Sequence, residues 1–147
     1  MRLIVPVSAA AVLVAIVVAI PTAQQQQPTG AYSQRQADAG RTAYEVSCAG
    51  CHGPDLTGSS DAPALIGPNF TGAWGGRPIN ELFRHIMETM PPQAPGSLGE
   101  EMTLNVLAYI IQRAGGAAGS QDLTIKTTTT VNAAASSRGG GPGSMAI

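Results

Sequence analysis

Cys48-Ala49-Gly50-Cys51-His52 places two thiols and an imidazole within five residues, and no other cysteine occurs in the chain. Two thiols spaced this way reach two vinyl groups on one side of a single macrocycle. The histidine that follows turns its imidazole onto a central metal from the same face. The pattern is the attachment signature of a c-type haem, with thioethers from Cys48 and Cys51 and His52 as proximal iron ligand. A redox Cys-x-x-Cys of the thioredoxin kind follows a strand in a βαβ unit, whereas a helical pattern precedes this one. A structural zinc site needs a fourth ligand. Beyond the motif, the only remaining His or Cys is His85.

These residues need elements to hold them. Ser33 is placed to cap a helix from about Gln34 to Val46, with Gln36 reaching back as a capping box; Ala37, Gly40, Tyr44 and Ser47 share a face of it. The cysteine motif sits at its end. Residues 53–77 are rich in Gly, Pro, Ser, Asp and Asn and read as an ordered loop. A second helix is predicted from Asn80, a good N-cap, to about Glu88, and Pro91-Pro92 stops it. A third follows Ser97, which pairs with Glu100 as a second capping box. Its face carries Met102, Val106, Tyr109, Ile110 and Arg113, and Gly115-Gly116 ends it. The fold class expected is all-α, with three main helices and long loops around one covalently bound haem.

The helices, the loop between them and a Met-Pro pair before the final helix together resemble the class I c-type cytochromes, over roughly residues 34–114. The resemblance implies that Met90, opening the loop from Pro91 to Ser97, supplies the sixth ligand. Thioether sulfur is soft and raises the potential relative to a second imidazole. Met87 and Met102 read as core packing, and His85, grouped with Glu81, Arg84 and Glu88, as a solvated surface residue. The stretch from Ala62 to Gly67 looks like the family's loop beneath the proximal histidine. There Pro63, with Pro68 as fallback, would accept the imidazole N–H. Gly40 and Tyr44 resemble the family's small-plus-aromatic pair that crosses the last helix near Val106 and Tyr109. Trp74 and Arg77 are candidate donors to the haem propionates, which are costly to bury unpaired. The short loop and the near absence of lysine, Lys126 alone, favour a small bacterial type.

The rest of the chain bounds where such a domain works. Arg2 precedes an apolar run from Leu3 to Ile20 and then Pro21-Thr22-Ala23. Residues 1–23 read as a secretory signal cut after Ala23 or Ala19; uncleaved, the run would anchor the protein in the membrane. Either outcome places the domain outside the inner membrane, in the periplasm. Residues 24–31 read as a polar linker and 32–116 as the cytochrome domain. Residues 117–147, without an aromatic residue, are expected to be disordered. Eight basic and nine acidic residues in 147 form neither a nucleic-acid-binding stripe nor an acidic tail.

The expected function is one-electron transfer. The partners would be redox proteins: a dehydrogenase as donor, an oxidase or another cytochrome as acceptor. The layout also resembles haem subunits that take electrons from periplasmic quinoprotein dehydrogenases of alcohols or sugars, so a dedicated acceptor subunit is the alternative. With both axial positions filled by His52 and Met90, catalysis or gas sensing at the iron is not expected.

Overall fold

The structure, a computed structural model, describes residues 29–136. The apolar run, most of the linker and residues 137–147 lie outside them. Among the described residues there are six helices and no strand: α1 Gln34–Ser47, α2 Ala49–His52, α3 Gly67–Trp74, α4 Ile79–Thr89, α5 Gly99–Arg113 and α6 Val131–Ser136. The all-α architecture is as expected. No described helix is long and apolar enough to cross a membrane.

The core is built where α1 crosses α5. Ser33 caps α1 by accepting the Gln36 N–H at 3.2 Å. Gly40 sits at the crossing: a Cβ there would lie 1.8 Å from the Asn105 carbonyl oxygen, so only glycine permits this approach. One turn on, the Tyr44 and Tyr109 rings meet at 5.5 Å and 52°. Leu104, Val106, Leu107, Ile110 and Ile111 of α5 are buried, so the helix is enclosed on most of its circumference rather than along one stripe.

Several expectations change. Residues 53–77 contain a helix, α3, which Pro68 starts from its first turn, where a missing N–H costs nothing; the surrounding glycines hide it from periodicity. α4 begins at Ile79 with Pro78 at the N-cap, so Asn80 does not cap, and its Oδ1 is buried without a hydrogen-bond partner. α5 begins at Gly99 without a side-chain cap. Gly96 and Gly99 both take positive φ, which leaves Ser97 inside a turn. Met102 is 43 % exposed rather than packed.

The largest difference is after Gly116. The expectation of disorder from Ala117 is not met through Ser136. Leu123, Val131 and Ala134 are 1–2 % exposed, and the chain lies along the domain as a strap. Few apolar side chains suffice because main-chain groups are satisfied along the way. Gly119 N–H donates to Tyr32 O at 2.6 Å, and the Ile79 N–H donates to Thr129 O at 3.0 Å. Gln36 Nε2 donates to Leu123 O at 2.9 Å while Leu123 N–H donates to Gln36 Oε1 at 2.7 Å.

Candidate cofactor site

α1 ends where the cysteine motif begins. Cys48 N–H donates to Tyr44 O at 2.9 Å, and the motif then closes one helical turn through Cys51 N–H to Cys48 O at 3.2 Å and His52 N–H to Cys48 O at 2.9 Å. Positions i, i+3 and i+4 of a helix share a face, so this turn gathers Cys48, Cys51 and His52. Its exit is clamped. Tyr44 Oη donates to Gly53 O at 2.6 Å, Ser59 Oγ donates to Cys51 O at 2.6 Å, and Gly58 N–H donates to His52 O at 2.8 Å. The tyrosine that crosses α5 therefore also fixes the end of the motif.

The loop that follows folds back beneath the histidine. Leu65 N–H donates to Leu56 O at 2.8 Å, with Leu56 fully buried at φ +66°. Gly58, at φ +82°, lies so close to residues 63–64 that a Cβ would meet Ala64 N at 2.6 Å and Pro63 C at 2.8 Å. This packing sets the Pro63 carbonyl 2.8 Å from His52 Nδ1. A carbonyl only accepts, so Nδ1 carries the proton of the neutral ring. Nε2 then keeps the lone pair that a metal ligand needs. Pro63, not Pro68, is in this position.

His52 is buried in the wall of a cavity of about 340 Å³, within the range of small-molecule sites. Cys48, Cys51, Pro63, Trp74 and Met90 line the same cavity. Its floor and sides are apolar, with Phe70 and Ala73 from α3, Leu82 and Ile86 from α4, and Val106 and Ile110 from α5. Burial pushes the Cys48 thiol up to about 11, so it is neutral at ordinary pH; Cys51 is exposed. Asp61 is the carboxylate among the lining residues, and neither Lys nor Arg is among them.

Met90 reaches the cavity because α4 ends on it. Its N–H closes the helix onto Ile86 O at 2.8 Å, then the backbone turns extended, and Gly96 N–H returns to Met90 O at 3.1 Å. Met87 stays in the packing, its sulfur 3.2 Å from the Thr103 hydroxyl. Neither Met87 nor Met102 lines the cavity.

Arg77 is not among the lining residues. Its guanidinium lies over the Trp74 ring at 4.5 Å, and its Nε donates to Glu81 at 2.9 Å. His85, exposed as expected, nevertheless lines the cavity and packs its ring 4.9 Å from that of Trp74. Its place was readable in part: His85 lies between Leu82 and Ile86, at i+3 from the first, on the edge of the apolar face of α4.

Two thiols, an imidazole with its free nitrogen defined, and a thioether in one apolar-walled cavity are a donor set that fits a haem. No cluster of three or more His, Cys, Asp or Glu side chains suited to a metal ion occurs among the described residues, which leaves the zinc alternative without support. The absence of strands among them equally leaves no βαβ setting for a thioredoxin-like motif.

No curated protein and no solved structure matches the chain. Residues 35–110, just over half of the chain, match the family model described as cytochrome C oxidase, cbb3-type, subunit III. The chain therefore belongs to that family, a c-type cytochrome domain that binds haem and transfers electrons.

Proposed function

We propose that this chain is a one-electron carrier working outside the cytoplasm, with haem c held covalently by Cys48 and Cys51 and axially by His52 and Met90. The observation that carries the reading is the 2.8 Å contact of His52 Nδ1 with Pro63 O, in a cavity that Cys48, Cys51 and Met90 also line. The haem, when bound, supplies an iron that cycles between Fe(III) and Fe(II).

The chain's own residues do the rest. Cys48 and Cys51 fix the group in one orientation. The Pro63 carbonyl holds the His52 ring in the tautomer that binds metal and makes it a better donor. Met90 offers a soft sulfur that favours the reduced state. Phe70, Leu82, Ile86 and Ile110 exclude water. The apolar run from Leu3 to Ile20 supports export. The partners we propose are a dehydrogenase as donor and an oxidase or another cytochrome as acceptor; membership of a family described as an oxidase subunit supports an oxidase on the acceptor side.

The test is a denaturing gel followed by ligand spectroscopy. Haem should travel with the polypeptide, and Cys48→Ala or Cys51→Ala should sharply lower mature holoprotein. In reduced protein, Met90→Ala should admit carbon monoxide and lower the potential, whereas Met87→Ala should leave ligation intact. Haem that extracts freely from the native protein, or sulfur ligation lost in Met87→Ala instead, overturns the assignment.

A further inference from the structure

The end of the strap, beyond the family match at residue 110, holds the turn that joins α3 to α4. Thr129 O accepts the Ile79 N–H at 3.0 Å, Val131 N–H donates to Arg77 O at 3.1 Å, and Asn132 N–H donates to Gly75 O at 2.9 Å. Val131 and Ala134 are buried at this junction. Within the turn, Arg77 N–H donates to Trp74 O at 2.9 Å. Three main-chain hydrogen bonds from outside therefore fix residues 75–79, and an internal one ties them to Trp74.

Trp74 is held through the same corner. The Arg77 guanidinium lies 4.5 Å from its ring centroid, and Arg77 is itself braced on Glu81. From α4 the His85 ring approaches to 4.9 Å. Trp74 and His85 line both the cofactor cavity and an adjoining polar depression that Arg77 and Arg84 help to form. The indole thus stands in the wall between cofactor and solvent.

We propose that residues 127–134 are a clamp that sets the position of Trp74 in the cavity wall, with Val131 and Asn132 as positioning residues acting through the 75–79 corner. The inference rests on the reading that the cavity takes the haem, because the surrounding shell controls solvent access and hence potential. Loosening the clamp lets water in beside Trp74, which favours the more charged ferric state and lowers the potential.

The rival role is plain covering of apolar surface, and the full-length holoprotein separates the two. Val131→Ala loosens the clamp; Gln36→Ala loosens the strap at Leu123, away from the corner. Both variants should lower thermal stability. Only Val131→Ala should speed amide exchange at Gly76, Arg77 and Ile79, by about tenfold, raise the emission of Trp74, which is the single tryptophan, and lower the potential. In the unmutated protein, the amides of Ile79, Val131 and Asn132 should exchange through one common opening. A Val131→Ala protein that is less stable but keeps wild-type emission, corner exchange and potential overturns the clamp, as does independent exchange of the three amides. Haem retention on a denaturing gel reports on the underlying reading separately, and the exchange measurement reads the clamp whether or not that reading holds.

Discussion

Gln36 and Leu123, 87 positions apart, exchange two hydrogen bonds: the Gln36 amide nitrogen donates to Leu123 O, and Leu123 N–H donates to Gln36 Oε1. Both residues are buried, so neither main-chain group of Leu123 has water as a substitute. Gln36→Ala should strand them and cost about 1–3 kcal/mol. Denaturant unfolding of the holoprotein checks this, with an unchanged haem spectrum expected because α1 keeps its Gly40 and Tyr44 contacts with α5. A loss within error of zero would mean that the strap does not stay docked in solution.

The same junction is sensitive to acid. Asp122 accepts from the Ser33 hydroxyl and pairs with Arg35 at 2.6 Å; the Ser33 hydrogen bond first, and then Arg35, hold its carboxyl below the usual carboxylate range. A depressed folded value means that the ionised form favours the docked strap. That contribution is fully present above the unfolded value, about pH 4, and is lost as pH falls through the lower folded value. The amide signal of Leu123 should therefore lose protection below about pH 4 before the α1–α5 core does. Asp122→Asn should flatten that dependence.

What the sequence made legible follows the strength of each local signal. The motif, the Gly40 crossing and Pro63 were readable because each depends on a residue type that few alternatives replace: paired thiols, a missing Cβ, a proline-bearing loop. The strap was not. Its hold depends on main-chain hydrogen bonds and on three apolar side chains, Leu123, Val131 and Ala134, spread over a dozen residues of small and polar neighbours. Composition averages such a segment to disorder, although Leu123 alone is as buried as the core of α5. Met102 failed the other way. It has the right spacing for the apolar face, but α5 is covered from several sides and leaves its first turn open, so position along the helix outweighed position around it.

Gly58 offers a test of how the histidine is held. Its positive φ and its 2.6 Å approach to Ala64 leave no room for a side chain. Gly58→Ala should push the 63–64 backbone away and lengthen the His52–Pro63 hydrogen bond. A weaker acceptor at Nδ1 makes the imidazole a poorer donor to iron, which destabilises Fe(III) more than Fe(II). The potential should rise while covalent attachment persists. Voltammetry of the variant beside wild type decides it, and an unchanged potential would show that the ring is fixed by other contacts.

Electron exchange with a protein partner requires a brief encounter at the edge of the cavity, and the surface there is poor in charge. Neither Lys nor Arg lines the cavity, and Asp61 is the carboxylate on it. Arg35, Arg41 and Arg77 are each occupied by a carboxylate of the same chain, which shortens their reach toward a partner. The exposed residues beside the mouth, Gly50 and the turn from Pro92 to Pro95, are small or weakly polar. Steered association falls steeply with ionic strength, because it depends on summed charge acting beyond contact distance. With no basic ring around the cavity among the described residues to supply that field, the second-order rate of electron exchange with the physiological partner should change by less than about tenfold between low and physiological ionic strength, where the Debye length shrinks to about 8 Å. Stopped-flow mixing across a salt series measures it. A fall of several decades would require a charged patch near the mouth, and charge reversal at Asp61, Arg84 or Arg113 would then locate it.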